Sequence, residues 1–187
     1  AILTGDALLT HAFELMADPD QTKGLDSRQV QRVVCEVSRA IGVEGMIGGQ
    51  AADLRFMGIE PGSNDVEYIH LRKTAALIRI SVHGGALLAN ASESEADAIS
   101  RYGQNVGLAF QIADDILDEI GDSEVLGKTA RSDQEAEKAT YPKVFGIDKS
   151  RSLARGFVET ALEELSGLGG EADPLRSIAQ FIISRKF

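Results

Sequence analysis

The stretch Phe110-Gln-Ile-Ala-Asp-Asp-Ile-Leu-Asp118 decides the fold class, because its polar residues recur at helical spacing. Gln111, Asp114 and Asp118 are spaced i, i+3 and i+7 and therefore share one face of a helix. The residues around them are apolar, which predicts a helix packed against a core. Carboxylates in apolar surroundings need a partner, and Mg²⁺ is a hard cation that prefers carboxylate oxygens. A solvated face of an acidic helix explains the bare pattern equally well.

Helical spacing continues over the rest of the sequence, without a convincing alternating strand pattern. We therefore predict one all-α domain over residues 1–187. The second predicted helix contains four glycines, so another element must approach its backbone closely there. The predicted helices cover about 1–17, 26–57, 64–89, 92–120, 133–139, 149–166 and 174–185.

Two helix starts carry capping signals. Asn64 precedes Glu67 by three residues, and Ser92 precedes Glu95 by three, as in a capping box. Residues 121–127 are predicted to form a loop after the carboxylate helix.

The amino-acid composition limits the classes of partner that this protein could bind. The 187 residues carry a net charge of −10, which disfavours nucleic acid, because binding to phosphates requires Lys and Arg. Membrane insertion is not expected, because no apolar run approaches the ~18 residues of a membrane helix. The single Cys35 cannot form an internal disulfide and fits a reducing compartment. The three histidines show no zinc spacing, and we expect His70 and Arg72 at the surface.

Three other segments suit an anionic ligand. Lys73 could hold a phosphate and Thr74 could donate a hydroxyl, although a lysine that extends to solvent explains that motif alone better. Gln50 and Asp53 are i, i+3 neighbours that line either a pocket or a helix crossing with Asp53 at the surface. Two lysines at 128 and 138 follow the carboxylate helix, where cations would suit the outer oxygens of a magnesium–diphosphate ligand.

Taken in order, six motifs resemble the trans-isoprenyl diphosphate synthases, the farnesyl and geranylgeranyl diphosphate synthase family. The resemblance implies an all-helical bundle around a central cavity, usually a homodimer. It also implies a Mg²⁺-dependent reaction between an allylic diphosphate and isopentenyl diphosphate, in the cytoplasm or in a plastid. The motifs are Gly5-Asp6-Ala7-Leu8-Leu9, Gly48-Gly49-Gln50-x-x-Asp53, Ile69-His70-x-x-Lys73-Thr74, the segment 107–118, Leu126-Gly-Lys128 and Lys138-Ala-Thr-Tyr-Pro142.

The resemblance assigns the metal site to the Asp-rich helix. Asp114 is expected to bind Mg²⁺, and Asp115 and Asp118 are expected to complete or support the site. Asp133 is expected to orient a metal-bound water.

The resemblance places the diphosphate and the reacting carbon near other side chains. Lys73 and Lys128 are expected to hold the allylic diphosphate, with Lys138 as a further contact on a closing segment. Thr74 and Gln111 are expected near the developing cation, where oxygen dipoles stabilise positive charge. Gln50 and Asp53 are expected to line the cavity behind them.

The family's first Asp-rich motif, which precedes the Gly5-Asp6 segment, does not lie in this sequence, nor do the residues that bind isopentenyl diphosphate. We therefore expect the C-terminal portion of a synthase, incomplete at its N-terminus and inactive alone. A non-catalytic homologous subunit that modulates an active synthase is the main alternative. A terpene cyclase is disfavoured, because cyclases lack the set of Lys73-Thr74, Lys128 and Lys138. Farnesyl and geranylgeranyl products are equally compatible with the sequence.

Overall fold

The computed structural model describes residues 1–125 and 138–184, without the side chains of 121–125. Within these ranges the chain is helical and contains no strand, which confirms the predicted all-α class. A π-helical turn (Leu71–Ala75) joins α4 to α5, and a 3₁₀ turn (Gly170–Ala172) precedes α9. The helices are α1 (Ile2–Ala17), α2 (Ser27–Ile41), α3 (Met46–Arg55), α4 (Ser63–His70), α5 (Ala76–Leu88), α6 (Glu93–Val125), α7 (Tyr141–Phe145), α8 (Ile147–Glu164) and α9 (Asp173–Ser184).

The long helix α6 is the centre of the bundle and packs against both α5 and α8. Its start is the predicted capping box. The Ser92 N–H donates to Glu95 Oε2 at 2.9 Å, and the Glu95 N–H donates to Ser92 Oγ at 3.3 Å. Its inward face is apolar and almost fully buried, and removal of this surface from water stabilises the bundle. The buried residues include Leu108, Ala109, Ile112, Ala113 and Ile116.

Gly107 lets α6 approach the π-helical turn closely. A Cβ atom on Gly107 would lie 2.5 Å from Cα of Ala75 and 2.8 Å from its Cβ. A side chain of any size would therefore force the two elements apart. This close crossing brings residue 74 of the turn beside residue 111 of α6.

The predicted second helix is wrong as a single element. Residues 42–45 form a turn that separates α2 from α3. The expected close approach to its glycines is confirmed at Gly49. A Cβ on Gly49 would overlap the backbone nitrogen of Lys73 and lie 2.9 Å from Cβ of Arg72. The glycines therefore serve two purposes: they allow the turn, and they let α3 contact the π-helical turn.

The predicted third helix begins earlier than expected, so its predicted cap is wrong. It starts at Ser63, where the N–H of Gly62 donates to Asp65 Oδ2 at 2.9 Å. Asn64 and Glu67 therefore lie inside the helix. The π-helical turn interrupts this helix, a feature that helical periodicity does not reveal.

The fourth helix continues past its predicted end. Residues 121–125 belong to α6, so the predicted loop is wrong over this stretch, and residues 126–127 lie outside the described residues. The helix predicted near 133–139 also lies mostly outside them, and residues 138–140 are not helical. The last two predicted helices are confirmed as α8 and α9, within two residues at each end. None of the described helices is long and apolar enough to cross a membrane.

Candidate active site

Lys73 and Thr74 lie on the π-helical turn Leu71–Ala75. Such turns widen a helix by one residue and occur frequently at functional sites. Here the two consecutive side chains contact different helices, Lys73 reaching α3 and Thr74 reaching α6.

The Lys73 ammonium is paired with Asp53 of α3. Lys73 Nζ lies 2.6 Å from Asp53 Oδ2, and the two side chains are 35% and 13% exposed. The lysine therefore does not simply extend to solvent, and Asp53 is not a surface residue. Because Lys73 keeps part of its surface accessible, its ammonium can also reach an anionic ligand.

A groove of about 480 Å³ lies beside this pair, and Gln50, Lys73 and Thr74 all line it. Gln50 therefore lines the same groove as the lysine, and the role expected of Gln50 and Asp53 there stays a prediction. The rest of the lining is mostly apolar, so the groove combines an apolar surface with one ammonium group. The apolar part of the lining comes from Met46, Ile47, Ala51 and Leu54 of α3.

A chain of hydrogen bonds leads from Thr74 into the interior. The Thr74 hydroxyl donates to Gln111 Oε1 at 2.6 Å, and Gln111 Nε2 donates to Asp115 Oδ1 at 3.0 Å. The backbone N–H of Tyr141, the first residue of α7, donates to Asp115 Oδ2 at 3.1 Å. Thr74 and Gln111 are thus in direct contact, whereas their expected position near a developing cation stays a prediction.

Asp115 lies in the interior, with only 7% of the residue exposed. Burial raises the pKa of its carboxyl to about 7, while the bonds from the Tyr141 N–H and from Gln111 oppose that shift. Both carboxylate oxygens accept hydrogen bonds from the protein. Asp115 therefore faces the interior of the bundle, and whether it completes or supports the metal site stays a prediction.

His70 is buried, so its prediction as a surface residue was wrong. Only 3% of it is exposed, its ring stacks on Tyr141 at a centroid distance of 5.0 Å, and its Nε2 lies 3.5 Å from Asp115 Oδ2. Burial lowers the pKa of His70 to about 4, so the ring is neutral near pH 7. A sequence signal existed, since His70 follows the buried Val66 by four residues.

Arg72, also predicted at the surface, is half-buried. Its guanidinium lies 4.1 Å from the centre of the Tyr68 ring, and its Nε–H donates to the carbonyl of Glu44 at 3.1 Å. These contacts fasten the turn that precedes α3 to the π-helical turn.

Asp114 and Asp118 lie one helical turn apart on the more accessible side of α6, the first half-buried and the second exposed. The described residues contain no group of three or more His, Cys, Asp or Glu side chains that could hold a metal by themselves. This donor set still fits Mg²⁺, because that ion keeps several waters and typically takes only one or two carboxylates together with substrate phosphates. The ligands would be Asp114 and Asp118.

The remaining predicted residues follow α6 in the sequence. Lys128 and Asp133 lie outside the described residues. Lys138 is exposed, and its carbonyl accepts a hydrogen bond from Lys143 Nζ at 2.8 Å. It lines a second cavity of about 500 Å³, beside Gly58 and Pro61.

The described residues form an all-helical bundle in which the π-helical turn that carries Lys73 and Thr74 packs against the Asp-rich helix α6. The family model described as "Polyprenyl synthetase" matches residues 1–167. The chain therefore belongs to the polyprenyl synthetase family, the family of the trans-isoprenyl diphosphate synthases.

Individual relatives agree with this assignment. The chain is 45% identical to a dimethylallyltranstransferase of Fischerella ambigua, over 99% of the chain and 53% of that protein. It is 42% identical to a geranylgeranyl diphosphate synthase of Cyanophora paradoxa, over 99% of the chain and 61% of that protein. The chain thus spans about half to three-fifths of the length of these relatives.

Solved structures show the same fold. An FPP/GFPP synthase from Zymomonas mobilis superposes with a TM-score of 0.84 at 33% identity, covering 97% of this chain and 60% of that one. A geranyltransferase from Helicobacter pylori, solved with magnesium and isoprenyl diphosphate, has a TM-score of 0.77 at 28% identity. That comparison covers 98% of this chain and 59% of the other.

Proposed function

We propose that this chain is part of a short-chain prenyl diphosphate synthase, which joins an allylic diphosphate to isopentenyl diphosphate to form farnesyl or geranylgeranyl diphosphate. One observation carries the proposal: Lys73 and Thr74 line a mostly apolar groove of about 480 Å³. Such a groove matches a ligand with a hydrocarbon tail and an anionic head. The isoprenyl diphosphate in the Helicobacter pylori geranyltransferase supports this ligand class.

The chain's own side chains suit each part of the reaction. Lys73, held by Asp53, supplies positive charge to the allylic diphosphate as the carbon–oxygen bond breaks and the electron pair leaves with the diphosphate. The oxygens of Thr74 and Gln111 place the negative ends of their dipoles near the positive allylic carbon. The apolar wall excludes water, which would otherwise capture the cation. The double bond of isopentenyl diphosphate then attacks that carbon, and a proton is lost to the departed diphosphate.

Asp114 and Asp118 would hold Mg²⁺, with Asp115 fixing the helix from within. When bound, the ion neutralises charge on the diphosphate and makes it a better leaving group. Lys128 and Lys138 are proposed as further diphosphate contacts, Asp133 as the residue that orients a metal-bound water, and Gln50 with Asp53 as cavity lining.

We also propose that the complete protein is a homodimer that works in a plastid or in the cytoplasm. Support for the plastid comes from the chloroplastic geranylgeranyl pyrophosphate synthase of Catharanthus roseus, which is 43% identical. A relative from Arabidopsis thaliana is named a large subunit of a heterodimeric synthase, so light scattering on the complete protein must distinguish the two assemblies.

The test uses the protein encoded by the complete reading frame. Incubated with Mg²⁺, isopentenyl diphosphate and dimethylallyl, geranyl or farnesyl diphosphate, it should release diphosphate and form a longer prenyl diphosphate, identified by mass spectrometry. No product with any of the three would overturn the proposal. Stimulation of an active synthase without turnover of its own would instead favour the non-catalytic subunit.

A further inference from the structure

The bonds between Thr74, Gln111, Asp115 and Tyr141 form a chain with a fixed direction. Its far end is the Tyr141 backbone N–H, which can only donate, and it contacts Asp115 Oδ2 at 3.1 Å. An ionised carboxylate can only accept. The Gln111 group that faces Asp115 Oδ1 must therefore be its NH₂, at 3.0 Å.

The orientation of the Gln111 amide then decides the orientation of the Thr74 hydroxyl. With the NH₂ turned to Asp115, the Gln111 amide oxygen faces Thr74. This oxygen must accept a hydrogen bond from the Thr74 hydroxyl, and the two oxygen atoms are 2.6 Å apart. Once that proton is donated, the Thr74 oxygen has only lone pairs to offer to its other neighbours. Thr74 also lines the apolar groove.

We propose that Asp115 is a positioning residue whose carboxylate, acting through the Gln111 amide, makes the Thr74 oxygen present its lone pairs to the groove. The inference rests on the proposed function, because a lone pair aimed at the groove favours a positive charge that develops on the allylic carbon there. It gives Asp115 a role separate from metal binding, which matches its burial and its two protein-bonded oxygens.

The isosteric variant Asp115→Asn should reverse the donor-to-acceptor direction of the hydrogen bonds between residues 115, 111 and 74. The Tyr141 N–H still requires an acceptor, so the new amide must turn its oxygen towards Tyr141 and its NH₂ towards Gln111. Gln111 then accepts with its oxygen and turns its own NH₂ towards Thr74. The Thr74 oxygen becomes an acceptor, and its proton turns towards the groove, where it opposes a developing cation.

The first experiment compares Asp115→Asn with Asp114→Asn in the complete protein. Single-turnover product formation by Asp115→Asn should fall about 10- to 100-fold, the range for residues that act through a directly contacting group. The Mg²⁺ concentration for half-maximal rate should stay at the wild-type value, whereas Asp114→Asn should raise it. An unchanged rate, or a Mg²⁺ shift as large as that of Asp114→Asn, would overturn the proposal.

A rescue experiment tests the donor-to-acceptor direction of these hydrogen bonds. In the double variant Asp115→Asn/Gln111→Glu the carboxylate and the amide exchange places, so Thr74 again has an acceptor for its proton. The double variant should be faster than Asp115→Asn alone. In a Thr74→Val background, Asp115→Asn should cause no further loss of rate. The proposal is wrong if the double variant is no faster than Asp115→Asn alone. It is also wrong if Asp115→Asn lowers the rate of the Thr74→Val variant by the same factor as it lowers the wild-type rate.

One measurement does not depend on turnover. The Gln111 side-chain amide, assigned in ¹⁵N spectra by its loss in Gln111→Leu, should show a proton shifted downfield by the carboxylate in the wild type. That shift should disappear in Asp115→Asn while the melting temperature stays near that of the wild type. A wild-type amide without the shift refutes the chain of bonds. A normal shift in a protein that forms no product refutes the proposed function instead.

Discussion

The ammonium of Lys73 lies 2.6 Å from the carboxylate of Asp53, although 20 residues separate them in the sequence. The pair joins the π-helical turn to α3 at the edge of the apolar groove. It holds the lysine side chain in place before any ligand arrives, so less conformational freedom is lost on binding.

Replacing Lys73 by Met should weaken use of the allylic diphosphate. A hydrogen bond to a charged group contributes ~1.5–3 kcal/mol, so kcat/KM should fall roughly 10- to 150-fold in steady-state assays of the complete protein. Lys149→Met is the matched control, because Lys149 is exposed on α8. Equal effects of the two substitutions would contradict a ligand role for Lys73.

Asp114→Asn should raise the Mg²⁺ requirement. Loss of a carboxylate ligand should increase the Mg²⁺ concentration for half-maximal rate by at least about tenfold, since even indirect partners of a metal contribute that much. The control is Asp97→Asn, an exposed aspartate near the start of the same helix. A normal Mg²⁺ titration of Asp114→Asn would remove this residue from the metal site.

Gly49→Ala should destabilise the fold and separate Lys73 from Asp53. The new Cβ would overlap the backbone of Lys73, and overpacking of this kind costs ~1–3 kcal/mol in the free energy of unfolding. In Gly85→Ala the added Cβ meets nothing within 4 Å, so this helical control should keep or gain stability. Urea unfolding followed by circular dichroism measures both, and equal midpoints would contradict the close crossing.

Tyr102→Phe should weaken the attachment of α9 to α6. The buried Tyr102 hydroxyl donates to the Leu175 carbonyl at 2.7 Å, and loss of such a hydrogen bond costs ~0.5–1.5 kcal/mol in the free energy of unfolding. Tyr68→Phe serves as control, because Tyr68 is 45% exposed. Thermal unfolding should show a lower melting temperature for Tyr102→Phe only.

The same tyrosine predicts a loss of stability at alkaline pH. Burial raises the pKa of Tyr102 to about 12 from an ordinary value of 10.0. Because the folded pKa is the higher one, the contribution is complete below pH 10.0 and is lost as the pH rises through about 12. Tyr141 has the same raised pKa, so Tyr102→Phe should reduce, without abolishing, the alkaline decrease in the free energy of unfolding. An identical pH profile would contradict the burial of this hydroxyl.

Helical periodicity is a local property, and it was enough to predict the all-α class and the capping box at Ser92 and Glu95. It also placed Asp114 and Asp118 on one side of α6. The family resemblance assigned Thr74 and Gln111 to the same part of the site, and the structure shows a direct bond between them. These features could be predicted because each depends on spacing along a single helix or on the order of motifs.

Only the tertiary structure shows which side chains are buried between helices and which stay accessible. Whether Lys73 faces solvent or Asp53 depends on how closely α3 crosses the π-helical turn, and the lack of a side chain at Gly49 sets that distance. Asp114 and Asp115 are adjacent and chemically identical. Only the packing of α4 and α7 against α6 buries the second and leaves the first accessible. The sequence by itself determined the helices and their chemistry, whereas tertiary packing decided which carboxylate faces the interior, because burial depends on neighbours distant in the chain.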